Sequence, residues 1–284
     1  MSNYDPNAQA YGYQGYGYAQ PTAAQQAQID QGLRSYMVGV YNYMMLGLAV
    51  TGLAALGFYM MSVTGDASLA ARGARGTALA VSGGQYLTQF GAFVYASWFK
   101  FVVMLAPLGV VLLLSFRADR MSASSAQATF LVYAALVGVS LTTILLVYAH
   151  TSVARVFFIT AASFGALSLW GYTTKRDLSG MGTFLMMGLF GLIIASLVNI
   201  GIAAFTGQAS SMLQWIISVV GVLIFAGLTA YDTQNIKNEY IYGLAYSQDG
   251  SLVQKSAIFG ALQLYMDFIG MFQFLMSLMG SRDE

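Results

Sequence analysis

Two of the eleven acidic residues in this 284-residue chain stand where a carboxylate is costly. Asp5, Asp30, Asp66, Asp119, Asp177, Glu239, Asp249, Asp283 and Glu284 fall in polar stretches. Asp267 lies inside the apolar run Ala257 to Leu278, about ten residues from either end and hence about 15 Å from each boundary at 1.5 Å per helical residue. Asp232 stands at the end of the apolar run Met212 to Tyr231. A carboxylate at a bilayer centre costs on the order of 3 kcal/mol on an insertion scale, so it is expected to face protein and to have a partner. Helical spacing suggests the partner. At about 100° per residue, Ser256, Gln263, Asp267, Gly270 and Ser277 share one face of the last run, and Gln214, Ser218, Gly221, Thr229 and Asp232 share one face of the run before it. Two such stripes are expected to face each other and to line a wet path through Gln214, Ser218, Thr229 and Gln263. Two carboxylates a few ångströms apart in poor solvent share one proton and titrate as a coupled pair. Fully ionised, the same pair offers hard oxygens suited to Ca²⁺, with Asp232 and Asp267 as its ligands. The plainer alternative is structural: carboxyls hydrogen-bonded to a neighbouring helix with nothing passing them.

The elements that must position these residues follow from composition. At 57% hydrophobic and 8% charged, with a mean hydropathy of +0.64, the chain is not an ordinary soluble domain, where roughly a quarter of residues are charged. Seven apolar stretches are expected to cross a hydrocarbon layer roughly 30 Å thick as helices. They run from Met37 to Val63, Phe101 to Phe116, Thr129 to Tyr148, Val156 to Tyr172, Phe184 to Phe205, Met212 to Tyr231 and Ala257 to Leu278, and the short second one extends back toward Phe93. The fold class is therefore an all-α membrane protein, a seven-transmembrane-helix bundle over residues 34–280. Residues 1–33, rich in Gly, Tyr, Gln and Ala, read as a flexible tail with no signal-peptide pattern, and residues 281–284 as a short C-terminal tail. The Gly- and Ser-rich stretch Gly65 to Gly91 reads as a loop. Small residues at Ala161 and Gly165, and at Gly188 and Gly191, have helix-packing spacing.

Seven crossings place Arg34, Arg117, Arg120, Lys175, Arg176, Lys237 and Lys255 on one side and Arg72, Arg75, Lys100, Arg155 and Arg282 on the other. The bias puts the N-terminus in the cytoplasm. A six-span arrangement with a re-entrant last segment would put both ends inside. Arg117 and Arg120 share the side of Asp232, so an arginine there can pair with that carboxylate, and loss of the pair on protonation or cation binding would free a helix end. A juxtamembrane arginine is also a common topology determinant. The net charge of +1 argues against nucleic acid as a partner, and the absence of cysteine excludes disulfides and thiolate chemistry.

Ala230-Tyr-Asp-Thr-Gln-Asn-Ile236 and Leu262-Gln-Leu-Tyr-Met-Asp-Phe-Ile269 resemble the two signature helices of the transmembrane Bax-inhibitor motif family. So does the stretch from Phe158 through Thr160-Ala-Ala-Ser-Phe164 to Tyr172-Thr-Thr-Lys-Arg-Asp-Leu-Ser179. The resemblance, over roughly residues 33–280, implies a seven-helix bundle with the last helix at its centre and, for a bacterial member, an inner-membrane location. It implies a pH-sensitive Ca²⁺ leak channel in which Asp232 and Asp267 are the proton-sharing pair and Arg120, with Arg117 as fallback, is the latch. It also implies an alternative, since some bacterial relatives restrain a membrane-anchored AAA protease. The long Tyr/Gly/Gln tail and the long Gly-rich first loop depart from the family pattern.

Enzyme readings find little support. An intramembrane aspartyl protease would also use two aspartates, but Asp267 follows Leu264-Tyr-Met266 rather than Gly-x-Gly, and the only prolines are Pro6, Pro21 and Pro107. His150 is the sole histidine, which excludes a His-Glu-x-x-His zinc site, and no Gly-x-Ser-x-Gly elbow occurs. The sixteen methionines sit mostly within the spans, where packing accounts for them.

Overall fold

The computed structural model describes residues 22–73, 76–247 and 249–281. α1 (Ala23–Ser62) opens on a capping box in which the Gln25 N–H donates to Thr22 Oγ1 and the Thr22 N–H donates to Gln25 Oε1. Residues 23–33, assigned above to the tail, are thus helical: Ala and Gln are good helix formers, and the box satisfies the exposed first N–H groups. Residues 1–21 of that tail and residues 282–284 lie outside the described residues.

The first loop is more ordered than its glycines suggest. β1 (Val63–Thr64), β2 (Ala80–Val81) and β3 (Gln85–Leu87) form a small antiparallel sheet in the order β1, β3, β2, with Val63 opposite Leu87 and Ala80 opposite Tyr86. Leu87 packs there with Tyr59 and Leu146, which ties the sheet to the membrane bundle.

The second crossing is broken. α2 (Gln89–Gly91) runs into a wider turn at Ala92–Ala96, and α3 (Phe99–Arg117) follows. The two parts, Gln89–Ala96 and Phe99–Leu114, meet at 63°. Taken as one span they bring the number of membrane-length helices to seven; the other six are α1, α4 (Ala123–Val147), α5 (His150–Thr173), α6 (Ser179–Thr206), α7 (Ser211–Glu239, extended by a turn to Leu244) and α8 (Gly250–Met279).

α8 is the most buried of them and packs directly against α1, α4, α5 and α7, while α3 lies mainly on α4 and α6 mainly on α7. The bundle therefore has a central helix, an inner ring of four and two outer helices. Tyr265, fully buried on α8, shows how the centre is fixed. Its hydroxyl lies 2.6 Å from Thr51 Oγ1 on α1, which also donates to the Ala134 carbonyl on α4, and its ring meets those of Phe130 and Tyr133. In lipid, helices associate through close backbone approach and polar contacts rather than the hydrophobic effect. Gly138 accordingly sits on the Thr51 carbonyl and Gly171 on the Ala230 carbonyl, with no room for a side chain at either. The expected packing positions fare unevenly. A Cβ at Gly188 would meet Ile224 at 2.8 Å, whereas one at Gly165 or Gly191 would meet nothing within 4 Å, because those two face outward.

The ends of the described chain lie on opposite faces. Near the start of α1, Tyr36 donates to or accepts from Ser256 at the beginning of α8. At the far end of α8, Ala149 N donates to Ser281 O and Ser281 N donates to Ser152 Oγ, at the junction of α4 and α5. α8 is thus a full traverse and not a re-entrant segment. The face holding the start of α1 is called the N-terminal face below and the other the C-terminal face.

Candidate functional site

α7 and α8 are joined by a connection that begins with the extra turn Tyr240–Leu244 and ends at Asp249, whose carboxylate caps α8 by accepting from the Ser251 N–H at 2.9 Å. The Ser251 hydroxyl and N–H together hold the Asp249 carboxyl below its ordinary range. At the other end of α7, Ser210 Oγ accepts from the Leu213 N–H. Capped in this way, the two helices lie antiparallel with their polar stripes against each other.

The carboxyl groups of Asp232 and Asp267 lie within hydrogen-bonding reach of one another, and the Gln263 side chain is also within reach of Asp232. Both aspartates are 4% exposed, and among the described residues Asp267 Oδ2 has no hydrogen-bond partner. Two ionised carboxylates in contact repel, whereas one proton between them makes the contact a hydrogen bond. Asp232 is deeper than the sequence suggested. The polar stretch after it continues the helix to Glu239 because Thr233, Gln234 and Ile236 are buried rather than solvated. Gln234 accounts for much of this: its Oε1 accepts from the Leu178 N–H and its Nε2 donates to the Arg176 carbonyl, both at 2.8 Å, which pins the α5–α6 connection to α7.

Gln214, Ser218 and Ser277 form a second polar cluster toward the C-terminal face, whereas Ser256 lies at the opposite end of the seam and donates to Glu239 Oε1. Ser218 Oγ donates to Ser277 Oγ at 2.8 Å, and Gln214 Nε2 donates to the same oxygen at 3.2 Å. Asn199 of α6 joins them by donating to Gln214 Oε1. Thr229 is fully buried, and its hydroxyl donates within its own helix to the Phe225 carbonyl. A further chain, Tyr41 to Ser168 to Thr233, links α1, α5 and α7 beside the aspartate pair through distances of 2.7 and 2.9 Å. Asn199 was visible in the sequence as an amide inside an apolar run, but Tyr41, Ser168 and Gln234 gave no signal separable from interfacial residues.

The structure does not bring the arginines to the aspartates. Arg117, the last residue of α3, and Arg120, just beyond it, are exposed, and among the described residues no hydrogen bond or ion pair joins either to Asp232. Nor do the described residues contain a cluster of three or more His, Asp or Glu side chains able to hold a metal ion. Asp232, Asp267 and the Gln263 amide supply fewer oxygens than the six to eight that Ca²⁺ takes, so these side chains fit a passing, partly hydrated ion better than a resident one.

The family model described as "Inhibitor of apoptosis-promoting Bax1" matches residues 33–284, which include both stripes and the aspartate pair. The chain belongs to the Bax inhibitor family. An uncharacterized protein of Rickettsia prowazekii is 40% identical over 263 residues, covering 93% of this chain and 96% of the relative. The inner membrane protein YbhL of Escherichia coli is 38% identical over 253 residues, covering 88% and 93%, and an uncharacterized membrane protein of Streptococcus pyogenes is 32% identical over 256 residues, covering 90% and 96%. With its apolar helices and this likeness, the Bax inhibitor family member described here is an integral protein of a bacterial inner membrane.

Proposed function

We propose that this protein lets Ca²⁺ leak down its gradient across the membrane under proton control, with Asp232 and Asp267 as both the pH sensor and the cation ligands. The observation that carries the reading is the contact between two buried carboxyl groups on facing helices, one of whose oxygens has no partner. A buried unpaired carboxyl oxygen is costly to keep. A site that alternately accepts a proton and a hard cation gives that oxygen a use, because both compete for the same lone pairs. Acidification therefore weakens Ca²⁺ binding at the pair. Gln263, Thr229, Ser218 and Gln214 line the proposed path. Arg120 acts as a latch only if α3 moves from the position described here toward the aspartates, with Arg117 able to substitute for it.

The test is Ca²⁺ entry into liposomes containing only the purified protein, followed with an entrapped indicator across a range of pH. A leak that changes with pH is the expected result. No leak at any pH would instead favour a protein that acts by contact with another membrane protein, such as a membrane-anchored AAA protease.

A further inference from the structure

The polar stripes of α7 and α8 are each interrupted by a phenylalanine at the same level; the other gap on α8, between Ser256 and Gln263, falls on Gly260. On α7 the three- and four-residue spacing of Gln214, Ser218, Gly221, Thr229 and Asp232 leaves one gap, filled by Phe225; on α8 the corresponding gap between Gly270 and Ser277 is filled by Phe274. The two rings meet with centroids 5.9 Å apart and planes at 33°. Each also seats on the glycine of the opposite helix. A Cβ at Gly221 would lie 2.6 Å from the Phe274 ring, and a Cβ at Gly270 would run into the Phe225 ring. The result is a crossed pair of rings separating the Asp232, Asp267 and Gln263 cluster from the Ser218, Ser277 and Gln214 cluster. About seven residues of α7 separate Phe225 from either polar group, which is roughly 10 Å of helix on each side.

We propose that Phe225 and Phe274 form an apolar gate that keeps water from passing between the aspartate pair and the C-terminal face, and that it opens when the rings leave their glycine seats. The proposal rests on the reading of the stripes as a path. A constriction lined only by apolar groups stops ions by excluding water, without needing a charged plug. The rings also have somewhere to go. Beside them, on the α6 side, lies an open groove of about 300 Å³ lined by Leu189, Leu192, Ile193, Ser196 and Leu197 together with Phe225 and Phe274 themselves. Small residues at positions 221 and 270 let the rings lie flat between the helices, so substituting either glycine displaces a ring instead of merely tightening the packing.

The chain has no cysteine, so single cysteines report water access without background. Only a hydrated thiol, able to ionise, reacts with a small membrane-impermeant methanethiosulfonate. Applied at the C-terminal face, the reagent is expected to label Ser277→Cys in every background. It should label Thr229→Cys, just beyond the rings, slowly when both phenylalanines are present and about tenfold faster or more with Phe274→Ala. Phe225→Ala opens the same gap from the other helix and carries the same expectation should Phe274→Ala fail to fold. Fast labelling of Thr229→Cys with both rings present would overturn the gate, as would slow labelling in both folded alanine variants. Ca²⁺ flux measured on the same proteins separates the two claims. Faster labelling with no Ca²⁺ leak keeps the gate and removes conduction, whereas a leak with unchanged labelling keeps conduction and removes the gate.

Discussion

At the scale of single residues, the account turns on where charge is buried and what answers it. Asp232 and Asp267 answer each other, with Gln263 beside them, while the hydroxyls of Thr229 and Thr233, on the same helix as Asp232, are engaged with carbonyls of that helix or with Ser168 of α5. Arg120 is outside this circle, exposed beyond α3. If it nonetheless latches the resting state, Arg120→Ala raises the Ca²⁺ leak at rest, by about fivefold for an ion pair worth roughly 1 kcal/mol. An unchanged resting leak in that variant returns Arg120 to a role in setting topology. The aspartates were legible in the sequence because a carboxylate among aliphatic residues has few uses, and their stripes were legible because helical spacing is strict. The depth of Asp232 was not. Thr233, Gln234 and Asn235 look like the start of a loop, and only the tertiary bonds of Gln234 to the α5–α6 connection show why the helix continues.

At the scale of elements, helix pairs are held by backbone contact at a few glycines, and position on the helix decides which glycines matter. Within α5, Gly171 rests on the Ala230 carbonyl of α7, whereas Gly165 faces open space. Gly171→Ala should therefore destabilise the folded protein by about 1 to 3 kcal/mol, the usual range for overpacking. Gly165→Ala should stay within roughly 0.5 kcal/mol of the parent. Thermal unfolding in detergent compares the two directly, and equal effects would contradict the assigned packing. The sequence pattern treated Gly165 and Gly191 as equivalent to Gly188, since spacing shows that small residues share a face but not which face meets a neighbour. The small sheet of the first loop escaped for a related reason: strands of two or three residues have too few positions to show alternation, and the pairing of β1 with β3 joins residues more than twenty apart.

At the scale of the whole molecule, a central helix surrounded by four others buries the carboxyl pair, and on the proposed function proton and cation reach it along the α7–α8 seam or through a rearrangement of the ring. The traverse of α8 also fixes the ends of the described residues on opposite faces. Reporter fusions at the two termini should therefore report opposite sides of the membrane, and the same side for both would contradict the arrangement. Seven crossings were readable from apolar length alone, but the break in the second was not, because Phe93 and Phe99 sit in equally apolar surroundings on either side of it. The most direct test of the central claim is Ca²⁺ binding and leak measured against pH for the parent, Asp267→Asn and Asp283→Asn in liposomes. The parent and Asp283→Asn should respond to acidification alike, while Asp267→Asn should bind Ca²⁺ about tenfold or more weakly and vary less than about twofold across the same pH range, since a lone carboxyl has no partner with which to share a proton. Superimposable pH curves for the parent and Asp267→Asn would contradict the claim.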